Sequence, residues 1–162
     1  MNYETKLAKI KQAAEKKEAR LRKRLMLEKG KRKQKSMKQL KMELQRITNQ
    51  IVRHQSGECY TCGRKLEYAQ RQSGHHISRG ASSAARFTFS NLRVQCARPC
   101  NLDLSGNQVI FAYKLRKELG DEAYEDLYKM AMQPKKWSRE ELSELIAHRK
   151  QYLKSIEDEL ST

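Results

Sequence analysis

The sequence predicts an α+β protein, a small zinc-stapled centre flanked by a long basic N-terminal helix and by C-terminal helices. Three observations predict it. All four cysteines of the 162-residue chain fall in two close pairs, Cys59-Tyr-Thr-Cys62 and Cys96-Ala-Arg-Pro-Cys100. Short apolar and glycine-containing runs lie between those pairs. Strong helix formers and helical apolar spacing occupy both flanks.

Composition narrows the class further. Mean hydropathy is −0.94 and 38% of residues are hydrophobic, which leaves room for one modest core plus an extension. No apolar run approaches the roughly 18 residues of a membrane span, and the chain does not start like a signal peptide. A soluble, cytoplasmic chain is therefore expected. In a reducing compartment four cysteines favour metal over disulfides; two disulfides in a secreted chain are the alternative.

The formal charge of +16 is unevenly placed. Residues 1–50 hold 17 Lys and Arg against 5 acids, a balance of +12. Residues 51–120 hold 11 against 4 (+7), and residues 121–162 hold 7 against 10 (−3). A basic arm and a basic centre suit a polyanion, nucleic acid above all. The plain alternative is a solvated charged helix.

In chain order, Thr5 to Lys29 lacks Pro and Gly and reads as helix with a sparse stripe at Leu7, Ile10, Ala14 and Leu21. Like charges at Lys29-Gly30-Lys31-Arg32-Lys33 should loosen the middle of the arm. Met37, Leu40, Leu44, Ile47 and Ile51 recur at 3, 4, 3 and 4 residues, one apolar helix face ended by Ser56-Gly57. That face is expected to pack on the zinc centre, with homodimer formation as the alternative. Gly63 permits the tight turn after the first knuckle. Lys65–Gln72 reads as a short strand and His75-His76-Ile77 as a second, entered through Gly74. Ser78–Ala85 reads as a loop. Phe87, Phe89, Leu92 and Val94 lead back to the second knuckle. Gln108–Leu119 has helical spacing closed by Gly120. Asp121–Met132 forms another helix, and Ser138 with Glu141 makes a capping box for a last one. Trp137 just before it is a staple or a core anchor. The expected divisions are a basic arm (1–35), an amphipathic helix (36–56), a zinc-bearing core (57–120) and a helical tail (121–162).

The order knuckle, hairpin with histidines, loop, asparagine, knuckle, helix is that of a ββα-metal (HNH-like) nuclease core with a structural zinc. The match tightens at Gly74-His75-His76-Ile77-Ser78-Arg79-Gly80, Arg86-Phe87, Asn91, Gln95-Cys96, Cys100-Asn101 and Leu104-Ser105-Gly106-Asn107. With the Lys/Arg-rich approach and the Leu115-x-x-x-Leu119-Gly120 ending, the sequence resembles the NinG/Rap family of phage recombination endonucleases over roughly residues 40–130. The resemblance implies a metal-dependent endonuclease acting on branched DNA such as Holliday junctions and D-loops, in the host cytoplasm.

The residue types suit that chemistry. Phosphodiester hydrolysis needs a base to activate water and a cation to stabilise charge on phosphate. In the register implied by the resemblance, His75 is the general base. In the generic HNH register His75 is the metal ligand and His76 the base. Asn91 would orient the base, and Asn101 would ligate catalytic Mg²⁺ or Mn²⁺, which needs few protein ligands. Cys59, Cys62, Cys96 and Cys100 would hold structural Zn²⁺. Expected DNA contacts are Arg79, Arg86, Arg93 and Arg98, with Lys31, Arg32 and Lys33 of the arm. Two departures from the family pattern stand out: three residues rather than two separate Cys96 from Cys100, and Asp103 occupies a position where a histidine could ligate. A non-catalytic zinc-bearing nucleic-acid binder is the competing reading, and a basic assembly protein that dimerises through the 37–51 helix is a third.

Overall fold

The computed structural model describes residues 3–31 and 34–161, with side chains over 11–25 and 34–161. It divides into two compact units, Met1–Ser36 and Met37–Thr162. The first carries helix α1, Tyr3–Lys31. Leu21 and Leu25 stay 56% and 49% exposed on it, so the described part of its thin apolar stripe has no burial to stabilise it. An exposed Glu18–Arg22 pair at 2.9 Å adds only about 0.3–0.5 kcal/mol. No helix among the described residues is long and apolar enough to cross a membrane.

The second unit opens with α2, Met37–His54. Its repeating face buries Leu40, Leu44, Ile47 and Ile51, as the spacing predicts. The partner differs from the expected one. Most of this face meets Leu142, Ile146 and Leu153 of the C-terminal helix α5, Arg139–Leu160, with Phe87 between them. Only Val52, near the end of α2, joins the apolar cluster around the cysteines. Leu142, Ile146 and Leu153 of α5 are buried against it, and each buried Leu or Ile contributes about 2 kcal/mol. Trp137 anchors the start of α5, stacking edge-on against Phe87 and donating its indole N–H to the Ser83 carbonyl at 3.0 Å. The expected capping box is present: the Ser138 hydroxyl accepts from the Glu141 N–H, and the Glu141 carboxylate accepts from the Ser138 N–H. Arg149 of α5 is buried and donates to the Thr48 hydroxyl and the Phe87 carbonyl.

Between α2 and α5 lies a two-stranded antiparallel sheet, β1 Arg71–His75 and β2 Leu92–Cys96, with Gln72 opposite Gln95, Gly74 opposite Arg93 and His75 opposite Leu92. The strands expected at Lys65–Gln72 and His75–Ile77 are thus one strand between them. Lys65 makes only an isolated bridge to Glu58, and His76 already leaves the sheet. Arg-Gln-Ser-Gly-His carries no strand-like apolar alternation. Its place is set by Gln95, whose side chain crosses the sheet where Gly74 leaves room; a Cβ at 74 would sit 2.0 Å from Gln95 Oε1.

After β2 come a five-residue turn of π-helical form, Ala97–Asn101, helix α3, Gln108–Leu119, and helix α4, Asp121–Met132. The wide turn absorbs the extra residue of the second knuckle. Gly120, with φ 81°, separates α3 from α4 as expected.

Candidate active site

The four cysteines converge, all four Sγ atoms lying within 4.8 Å of one another. None is in a disulfide, which removes the disulfide alternative. A tetrahedron with Zn–S of about 2.3 Å has sulfurs about 3.8 Å apart, and Cys62 Sγ lies 3.9 Å from Cys96 Sγ. Three of the thiols are buried and Cys62 is exposed. Burial works against the Cys59 thiolate, yet the Cys62 main chain and the Thr61 hydroxyl outweigh it and bring its pKa to about 6. Burial pushes Cys96 up to about 12. Four thiolates this close need a cation to ionise together. The set fits a metal such as zinc.

A hydrogen-bonded strut runs from this cluster across the sheet. Thr61 Oγ1 lies 3.5 Å from Cys59 Sγ and accepts from Gln95 Nε2 at 3.1 Å; the same Gln95 amide donates to the Gly106 carbonyl at 2.7 Å. Gln95 and Thr61 are buried. Metal geometry at one end therefore bears on the 105–108 loop at the other.

That loop forms one wall of a cleft of about 610 Å³. Asn49 and Arg53 of α2, Arg71 to Ser73 and His75 of β1, Arg79, Asn101 and Gln108 also line it. Half-buried His75 donates Nε2–H to the Arg86 carbonyl at 3.2 Å, which leaves Nδ1 as the basic atom of the neutral ring. Burial is the main force lowering its pKa to about 4; Arg79 and Arg86 add to this against the pull of the Arg86 and Ser73 main chain. The imidazole is therefore neutral at pH 7. The Asn101 amide donates to Gln72 Oε1 at 2.6 Å, leaving its oxygen available. Among the described residues no Asp or Glu lines the cleft. Arg53 donates to the Tyr68 carbonyl and lies over the Tyr68 ring, and Arg71 donates to the Leu66 and Arg53 carbonyls. Main-chain carbonyls fix both guanidinium groups without neutralising them.

The structure thus brings together His75, Asn101 and Arg79, and directs the other expected residues elsewhere. His76 is buried on the α3–α4 side, its Nε2 2.9 Å from the Tyr128 hydroxyl and 3.0 Å from that of Tyr124, its ring stacked on Phe111. It does not line the cleft. Asn91, fully buried, touches neither imidazole: it accepts from the Ile77 N–H and donates to the Ile77 and Ala85 carbonyls. It braces the 77–85 loop through the main chain. Arg93 is ion-paired to Glu118 at 2.7 Å, beside a second cavity of about 630 Å³. Arg98 pairs with Asp103 at 2.7 Å, so Asp103 here neutralises an arginine. The Arg86 guanidinium turns to Gln45. Arg32, Lys33 and the Lys31 side chain lie outside the described residues.

Arg53, Arg71, Asn49 and Gln72 were not foreseen. A signal existed for two of them: Gln45, Asn49 and Arg53 follow one another at four-residue spacing beside the apolar face of α2. Arg71 and Gln72 had none, because the strand that presents them was not legible.

Fold and site together define a small α+β protein in which a metal-type cysteine cluster staples a hairpin beside an arginine-lined cleft. A sequence-family model described as Bacteriophage Lambda NinG protein matches residues 1–159. The chain belongs to that family, and a part in phage recombination follows at that level. No curated protein and no solved structure matches.

Proposed function

We propose that the chain is a metal-dependent endonuclease that hydrolyses phosphodiester bonds in branched recombination intermediates such as Holliday junctions and D-loops. The arrangement is HNH-like, with β1, β2 and α3 as the ββα unit and Cys59, Cys62, Cys96 and Cys100 around structural zinc. One observation carries this reading: His75 and Asn101 share a cleft with Arg53, Arg71 and Arg79 and with no described acid. A cleft lined in this way attracts phosphate, and its neutral imidazole offers a proton acceptor among those cations.

Neutral His75 holds the attacking water through Nδ1 and takes its proton. Arg86 fixes the ring through its carbonyl, and Asn91 fixes the loop that carries that carbonyl. Arg53, Arg71 and Arg79 seat the phosphate, which the rigid guanidinium fork suits. The Asn101 oxygen, left open by the bond of its amide to Gln72, fits a hard divalent cation that takes its remaining ligands from water and phosphate. Mg²⁺ or Mn²⁺ bound there would stabilise charge on the phosphate and on the leaving oxygen. His76 is a packing residue in this scheme. The basic arm, including Lys31, Arg32 and Lys33, supplies general affinity for DNA.

The test is cleavage of a synthetic four-way junction against a linear duplex, with and without Mg²⁺. Junction-selective, Mg²⁺-dependent cutting is expected. Binding without cutting under any divalent cation would leave the non-catalytic zinc-bearing binder in its place.

A further inference from the structure

The loop between β2 and α3 carries an unusual surface. Leu102 and Leu104 are 54% and 52% exposed, and on the first turns of α3 Val109 and Tyr113 are 80% and 68% exposed, with Ile110 beside them. Five large apolar side chains thus face outward within twelve residues, in a chain whose core is small. The loop holds a defined shape: Ser105, Gly106 and Asn107 all have positive φ (49°, 89° and 49°), and the Gly106 carbonyl accepts from buried Gln95. Its other side is the wall of the His75 cleft, where Leu102, Ser105 and Gly106 stand across from the arginines.

The setting selects the occupant. Leu102 belongs both to this surface and to the lining of a cleft rich in arginine, where no described carboxylate stands, so what lies on the surface adjoins phosphate. Intact duplex hides its base faces in the stack, and its outer surface is charged. Base faces become exposed where stacking is interrupted, as at a branch point, and apolar or aromatic side chains are what bind them. We propose that Leu102, Leu104, Val109, Ile110 and Tyr113 form a wedge that contacts the open base-pair faces at a DNA branch, placing the adjoining phosphate in the His75 cleft. The proposal rests on the reading above for DNA as partner, and assigns discrimination of branched from linear DNA to residues outside the reacting centre.

The test uses the full-length, zinc-loaded protein with Ca²⁺ in place of Mg²⁺, so that DNA stays intact. Affinities are measured for a labelled four-way junction and for a linear duplex of the same arm sequence, with 2-aminopurine beside the branch. Leu104→Ser and the double variant Val109→Ser/Tyr113→Ser alter exposed side chains, and their melting temperature and zinc content check the fold. The double variant should lose about tenfold in junction affinity, the scale of one lost base stack, while duplex affinity stays within about twofold. The 2-aminopurine signal should change with wild type and with Tyr113→Phe, but not with the double variant. Unchanged discrimination in both serine variants, or a parallel loss for junction and duplex, overturns the wedge. So does normal discrimination combined with a sedimentation shift from dimer to monomer, which would make the patch a contact between copies. Failure of the endonuclease reading is distinguishable: wild type would then discriminate branched DNA yet cut none with Mg²⁺.

Discussion

At the cysteine end of the hairpin, four thiols face one another and three are buried. Along β1, by contrast, Arg53, Arg71 and Arg79 surround a half-buried imidazole in a cleft without a described acid. The first region is closed: its four donors suffice for a tetrahedral metal shell with no position left for substrate. The second is open, and its donors are too few and too neutral to bind a cation tightly without a phosphate beside it. Closed sites suit structure and open ones suit chemistry. Gln95 joins the two, touching Thr61 at one end and Gly106 at the other. Cysteine cluster and cleft are one construction, linked through the buried Gln95 amide.

Removing metal from the cysteine cluster should have the largest effect. Purified reduced protein should carry one equivalent of zinc, and losing it should remove about 10 kcal/mol from the hairpin's stability, unfolding the centre. Metal analysis with thermal melting before and after chelation reads this. Zinc-free protein that melts like the native form would break the link between the two regions.

Asn91→Ala comes next. It leaves the Ile77 N–H and the Ile77 and Ala85 carbonyls without their buried partner, at about 1–3 kcal/mol for each group left unsatisfied. Urea unfolding should show a loss of about 3 kcal/mol or more, with activity falling in step with stability. Gly74→Ala tests the strut itself. The new methyl meets the oxygen of Gln95, which is buried and whose amide nitrogen holds both Thr61 and Gly106, so about 1–3 kcal/mol should be lost. A neutral outcome in the same unfolding experiment would mean that Gln95 is free to move.

A smaller effect concerns pH. His75 has a pKa of about 4 when folded and 6.5 ordinarily. Between those values the unfolded chain binds a proton that the native one does not, so stability should fall as pH drops from 6.5 toward 4. His76, also held below its ordinary value by burial, adds to the slope. Melting temperature against pH should decline less steeply for His75→Ala than for wild type.

Much of this construction was legible beforehand. The α2 face, the Gly120 break, the Ser138 capping box and the cysteine pairs are local signals, each set by spacing or by a short motif. Strand β1 was not legible, because Arg71–His75 is held by tertiary fit: the absent Cβ of Gly74 under Gln95 outweighs a sequence with no strand preference. The partner of α2 was also hidden, since an apolar face shows only that something covers it. Within the site, the His-His doublet left two registers open, and the two rings lie in different surroundings. His76 lies among Phe111, Tyr124 and Tyr128, whereas His75 reaches the cleft. Arg93 and Arg98 read as DNA contacts by charge alone, but each has a carboxylate neighbour from another part of the chain.

If His75 does the chemistry proposed for the open region, its loss should leave the closed region intact. Single-turnover cleavage of a four-way junction at saturating Mg²⁺, compared among wild type, His75→Ala and His76→Ala with zinc content measured in parallel, tests it most directly. His75→Ala should retain its zinc and its junction binding yet cut about 10² times more slowly or worse, the scale of a lost general base. His76→Ala should lose stability and keep most of its rate per folded molecule. Wild-type cutting by His75→Ala would contradict the account.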